Sequence, residues 1–228
     1  MNMNTLRAIT ITILFSTMLL NGCVSLPDAH DYSEFKQSDP RSILVLPPTN
    51  QSTEVVAPFS VMSQIVAPIA ESGYYVFPVA LVDQTFKNNG LTVANDIQSV
   101  PVSKLYEIFG ADAGLYIDIQ EYGTSYVILS SDTVVAVTAR LVDLRTGTLL
   151  WQDTARASSA ETKGNSGGGL VGMLVSAALT QIIETVTDRG FEISAIATSR
   201  LLTADLHNGL LHGPRSPKYG QAVTSKKQ

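Results

Sequence analysis

Residues 133–157, TVVAVTARLVDLRTGTLLWQDTARA, decide the fold. The first twelve, 133–144, are rich in β-branched side chains. Branching at Cβ stiffens χ1 and suits a pleated, half-buried surface. Arg145-Thr146-Gly147 then interrupts the run, with glycine where a tight reversal needs positive φ. Residues 148–157 form a second extended run, so the segment predicts a β-hairpin. Just upstream, Leu115, Ile117 and Ile119 alternate with Tyr116, Asp118 and Gln120. That period of two is a half-buried strand, and it extends the hairpin to a three-stranded meander.

The N-terminal half has a different rhythm. Residues 41–46 (RSILVL) are a short apolar run ended by Pro47-Pro48, which predicts a buried strand. Residues 58–71 place Val61, Met62, Ile65, Val66 and Ile69 at helical spacing. Pro68 is expected to kink that helix or remove its last turn, because proline lacks an N–H and its ring clashes with the preceding turn. Residues 74–77 (YYVF) predict a second strand. Pro78 and Pro101 each open a further helix, to Lys87 and Phe109, with Ser99 as a candidate cap for the second. After the meander, 158–169 is a Ser/Gly-rich linker, 170–189 predicts a long helix, and 191–202 continues helical. The order predicts an α/β (α+β) single domain: a mixed sheet with N-terminal β-α-β-α, an antiparallel meander, and helices packed on the sheet.

The N-terminus carries an address. Arg7 precedes an apolar run, 8–20, that is too short to span a bilayer, which takes about 20 apolar residues. Small Gly22 then stands before Cys23, the single cysteine of the chain. Leu20-Asn21-Gly22-Cys23 is similar to a bacterial lipobox, with Asn21 where Ala, Ser or Thr is more common. The reading is a signal peptide over 1–22, cleavage between Gly22 and Cys23, and lipidation of Cys23. A lone cysteine has no internal disulfide partner. One acyl chain anchors a protein only marginally, so stable attachment takes about two. The resemblance to bacterial lipoproteins implies a diacylglyceryl thioether plus an N-acyl group such as palmitate. It also implies the outer membrane as destination, since Val24 replaces the aspartate that marks inner-membrane retention. The expected organisation is a lipidated tether over 23–40, a domain over 41–203 and a flexible tail over 204–228.

Composition narrows the function. Hydrophobic residues make up 45% of the 228, enough for a substantial core, and the formal net charge is −5. A mildly acidic body argues against nucleic acid, which calls for a basic patch. It also argues against electrostatic attraction to anionic lipid, leaving the acyl chains as the membrane contact. Residues 167–172 (GGGLVG) satisfy G-x-G-x-x-G, but they follow a polar linker rather than a strand, and the next acids, Glu184 and Asp188, lie in the same expected helix. No nucleotide is expected there. The same stretch spaces Gly168, Gly172, Ser176 and Thr180 four apart on one helical ridge, which suits close packing on the sheet, a self-association surface or a membrane-touching segment. His30, His207 and His212 fall in the tether and tail with no second ligand at helical spacing, so no metal is expected. Ser158-Ser159 lacks a nucleophile-elbow setting. Strand alternation sends Asp118 and Glu121 to opposite faces, a poor arrangement for paired acid–base work.

Several stretches together carry a family resemblance: the lipobox at Cys23, ILVLPP at 43–48, ADAGLYIDI at 111–119, ARLVDLRTGTLLW at 139–151 and GPRSPKYG at 213–220. In this order they resemble a family of bacterial outer-membrane lipoproteins typified by a meningococcal surface antigen. More distantly, the chain is similar to the periplasmic α/β domain of curli-secretion lipoproteins and to the Tol-system N-terminal domain. The resemblance implies a non-enzymatic scaffold or accessory in envelope assembly or secretion. Its partners would be other envelope lipoproteins or further copies of itself, with no cofactor. The rival expectations are an envelope hydrolase using Asp118, Glu121 or Asp143, and a subunit that inserts into the outer membrane as part of a pore.

Overall fold

The computed structural model describes residues 30–127, 130–164, 189–206 and 208–221. From Asp31 onward the chain forms one compact unit. Its elements, in order, are α1 (Ser33–Ser38), β1 (Ser42–Val45), β2 (Thr49–Asn50), α2 (Ala57–Glu71), β3 (Tyr75–Val76), α3 (Val79–Asn88), α4 (Ala94–Gln98), α5 (Val102–Phe109), β4 (Ala113–Val127), β5 (Ser130–Asp143), β6 (Leu149–Ser158), α6 (Ser159–Gly164) and α7 (Arg189–Leu202). Six strands make one mixed sheet in the order β3-β1-β4-β5-β6, with the short β2 beside β4. β1 pairs in parallel with both β3 and β4, and β2 pairs in parallel with β4. β4, β5 and β6 form the antiparallel meander. The mixed α/β single domain expected from the sequence is the fold observed.

Alternation along the strands divides the core. Ile43, Val45, Leu115, Ile117 and Ile119 face α2 and α7 together with Val137, Ala139, Leu141 and Trp151. Leu44, Leu46 and Tyr116 face the opposite side, where Val82, Phe86, Ile97 and Leu105 of α3, α4 and α5 cover them. β1 and the first half of β4 are therefore buried on both faces, which explains why 41–46 is a continuous apolar run. Small or short side chains on α7 (Ser194, Ala197 and Thr198) are buried. Thr198 Oγ1 donates to the Ser194 carbonyl at 2.8 Å, so its polarity is satisfied within the helix.

Four expectations change. Pro68 lies inside α2, which continues to Glu71, with the Ser72 N–H donating to the Pro68 carbonyl. α5 begins at Pro101 with no side-chain cap, so Ser99 does not serve it; Ser99 instead bonds the Asn95 carbonyl. The expected tether already belongs to the body at α1, where Phe35 is buried among the core residues. Within the expected flexible tail, residues 208–221 form a packed strap. Leu210 is fully buried, Trp151 Nε1 donates to the Asn208 carbonyl at 2.7 Å, and the Tyr74 hydroxyl donates to the Leu211 carbonyl at 2.6 Å. Tyr32 reaches the Gly209 carbonyl at 2.6 Å, and burial followed by the charge of Asp153 pushes its pKa up to about 12. The strap meets the end of α2 backbone to backbone. A Cβ on Gly73, at φ +99°, would lie 2.5 Å from the Ser216 nitrogen, and one on Gly213 would lie 2.7 Å from the Gly73 oxygen. Only glycine fits either position.

Asp143 ties the β5–β6 turn to α1. It is buried, accepts from Ser38 Oγ at 2.6 Å, and accepts the N–H groups of Arg145 and Thr146 at 2.7 and 3.0 Å. Burial alone would raise its pKa. The bonds from Ser38, Thr146 and Arg145, with the nearby Arg145 charge, hold it below the usual carboxylate value. A depressed folded-state pKa contributes stability that is complete above the unfolded value, about 3.9, and is lost as the pH falls through the lower folded value. Asp143→Asn should therefore lose less of its melting temperature than the parent between about pH 4 and pH 2; superimposable pH profiles would contradict this. Leu210→Ala should cost about 2–5 kcal/mol in urea denaturation. A cost near zero would restore the flexible tail.

Candidate functional site

The helices do not cover the whole sheet. Among the described residues, α3, α4 and α5 shield the β1 side of their face and leave outward residues of β5 and β6 uncovered. On β5 these are Thr138 and Arg140, with Val142 on the same side but buried beside Tyr116 and Leu144, because Val137, Ala139 and Leu141 point into the other core layer. Register places Thr154 opposite Thr138, Gln152 opposite Arg140 and Leu149 opposite Val142. The Thr138 and Thr154 hydroxyls lie 2.9 Å apart. On β4, Tyr116 and Asp118 face the same way.

Two adjoining open grooves of about 460 Å³ each run along this face and share Gln98 and Arg140. One is walled by Val100, Pro101 and Val102, with Val142 and Leu149 beneath; the other is lined by Thr49, Asn50, Gln51 and Asn95. Gln98 is fixed because its Nε2 donates to the carbonyls of Pro47 and Ile117, both at 2.9 Å. The Arg140 guanidinium lies 5.2 Å from the centre of the buried Tyr116 ring, within cation–π range. Burial raises the Tyr116 pKa, and the charge of Arg140 opposes the rise. Among the described residues no carboxylate pairs with Arg140.

The acids considered for hydrolysis are distributed differently from expectation. A β-bulge between Ile119 and Glu121 inserts Gln120 into β4. One extra residue reverses the alternation, so Asp118 and Glu121 share the open face rather than opposing each other. Each is already engaged: Asp118 accepts from Thr49 and Gln51 at 2.7 and 2.6 Å, and Glu121 pairs with Arg156 at 3.3 Å in the open. Asp143 sits at the far end of the strand, opposite Ala113.

The strap contains a constellation invisible in the linear sequence. The ring of His212 lies between Asp205 Oδ1, 3.1 Å from Nε2, and Ser216 Oγ, 3.1 Å from Nδ1. Ser, His and Asp in one chain have the composition of a nucleophilic triad. However, Lys218 Nζ grips both oxygens of Asp205 at 2.6 and 2.7 Å, and its bond to Asp205 is the foremost cause of that acid's lowered pKa. Ser216 Oγ also accepts the Lys218 N–H. The arrangement closes the strap on itself, with every polar group of the constellation engaged by another of its members. Cys23, Gly22, Gly168, Gly172, Ser176, Thr180 and His207 lie outside the described residues, as do the G-x-G-x-x-G stretch and the predicted helix from 170.

The family model described as "GNA1162-like" matches residues 30–215, most of the chain. The chain belongs to the GNA1162-like lipoprotein family. It is 50% identical over 203 residues to the "Putative lipoprotein NMB1124/NMB1162" of Neisseria meningitidis serogroup B, covering 89% of this chain and 94% of the relative. It is similar in structure to lipoprotein GNA1162 from Neisseria meningitidis, at 51% identity and a TM-score of 0.53, covering 64% of this chain and all of that one. A weaker likeness, at 16% identity and a TM-score of 0.41, is to a PelC dodecamer from Paraburkholderia phytofirmans; it covers 71% of this chain and 86% of that one. The stretch GPRSPKYG, residues 213–220, lies in the strap, with Gly213 and Ser216 at its contacts. A fluorophosphonate probe should leave Ser216 unmodified, as read by mass spectrometry of the intact protein. Labelling that depends on His212 would revive the hydrolase.

Proposed function

We propose that this GNA1162-like protein is a lipid-anchored scaffold or accessory of the outer membrane. It acts by association with other envelope lipoproteins or with further copies of itself in envelope assembly or secretion. Removal of residues 1–22 would leave Cys23 as the lipidated N-terminus. The lipobox and the named lipoprotein relative support the anchor. No helix among the described residues is long and apolar enough to cross a membrane, so an acyl anchor is consistent with the body.

The observation that carries the association is the free flank of the sheet. Among the described residues β6, ten residues long, ends the strand order with no partner strand beyond it. An edge strand presents unpaired N–H and C=O groups and is a template for another chain. Arg200 Nη1 covers the Arg156 carbonyl at 2.9 Å, which blunts only that end. The open face of β5 and β6 adjoins the edge, giving a partner both backbone and side chains to engage.

Two measurements test this reading. Cys23→Ala should move the protein from the membrane fraction to the soluble fraction while its circular dichroism stays unchanged. A variant that remains membrane-bound would remove the anchor. A photo-crosslinking residue at Thr154, on the free flank, should capture an envelope protein or a second copy in living cells. The same residue at Gln84, on α3, should not; equal capture at both positions, or none at either, would sink the association through β6.

A further inference from the structure

We infer that the groove on the open sheet face binds the C-terminal end of a peptide, with its terminal carboxylate on Arg140 and its last, apolar side chain against Val142 and Leu149. The inference narrows the association surface proposed above to one ligand chemistry and rests on that reading.

Charge is the first argument. The Arg140 guanidinium is exposed, carries five donors in a planar fork, and has no carboxylate partner among the described residues. It is not a loose surface cation, because the Tyr116 ring lies against it at 5.2 Å. A guanidinium held in this way loses less freedom on taking a bidentate carboxylate. Asp118, the acid that lines the neighbouring groove, is turned to Thr49 and Gln51 and leaves Arg140 unneutralised.

The lining is the second argument. Beside Arg140 lie two side-chain amides. Gln98 has both Nε2 hydrogens occupied, so its Oε1 serves as an acceptor facing a peptide N–H. Gln152, opposite Arg140, is exposed and makes no hydrogen bond among the described residues. In the same groove Leu149, 44% exposed, stands opposite the buried Val142, an apolar step one inward–outward repeat along the strands from Arg140 and Gln152. Carboxylate, amide and apolar side chain in that order describe the end of a peptide. A fatty acid would leave the amides unused. A nucleic acid would need several cations, and this groove has one, with Asp118 close by.

The test uses the full-length protein in detergent and fluorescence anisotropy of a fluorescein-labelled peptide Ser-Gly-Ala-Val-Leu, as the free acid and as the C-terminal amide. The free acid should bind with a dissociation constant on the order of 1 mM or below, as suits an open groove contacting few atoms. The amide should bind roughly tenfold or more weakly, the weight of a charge-assisted hydrogen bond. Arg140→Gln should bring the acid down to the level of the amide, with circular dichroism unchanged, and Arg140→Lys should fall between, having charge without the fork. Equal affinity of acid and amide, or an Arg140→Gln variant that binds as well as the parent, would overturn the inference. Displacement of the peptide by decanoate at equal concentration would also overturn it, in favour of a lipid occupant. Capture of a partner at Thr154 without peptide binding would leave the scaffold standing and remove only this ligand.

Discussion

Strand β4 is bonded in parallel to β1 and β2 on one side and antiparallel to β5 on the other, and the rest of the molecule follows from that asymmetry. Parallel neighbours require crossover connections, and those connections are the helices that bury the β1 side on both faces. Antiparallel neighbours need only a tight turn, so β5 and β6 leave no helix behind to cover their outer surface. Among the described residues, one flank of the sheet is covered by helices on both faces and the other is covered by α2 and α7 on one.

Local chemistry then makes that face specific. The bulge at Gln120 brings Asp118 and Glu121 onto one surface, where a regular strand would separate them. The strand pairing sets Arg140 over Tyr116 and beside Gln152. None of these residues is near another in a motif. Tyr116, Arg140 and Gln152 meet only because three strands hold a particular register, so the groove could not be found by scanning for spacing. Signals for its parts were present: Tyr116 and Asp118 stood at the polar positions of an alternating strand. What alternation alone could not supply was which outward face would be roofed by helices and which would stay wet.

The strap shows a different kind of illegibility. Residues 208–221 contain three glycines, two prolines and one lysine, a composition that suits a flexible end. Their order depends on distant groups: Trp151, Tyr74 and Tyr32 donate to three of their carbonyls, and Gly73 allows the backbone to approach. Those donors are aromatic side chains whose polar ends needed acceptors once their rings were buried. The strap satisfies them, and with α1 it fastens the N-terminal entry of the chain to the body.

The sequence by itself determined the class of fold, the hairpin around Gly147, the helices α2 and α7, and the lipobox from which anchoring at Cys23 is proposed, because each is written in local periodicity, turn chemistry or a contiguous motif. Only the tertiary structure decided that residues 33–38 and 208–221 belong to the body, that a bulge rotates Glu121 onto the face of Asp118, and that Arg140 stands ion-pair-free above Tyr116 among the described residues. The physical reason is the range of the interactions. Periodicity and turns act over a few residues and leave a trace in composition. Register, close backbone approach and burial on one face bring together groups 19 to 180 positions apart, and no local pattern records which of them will meet.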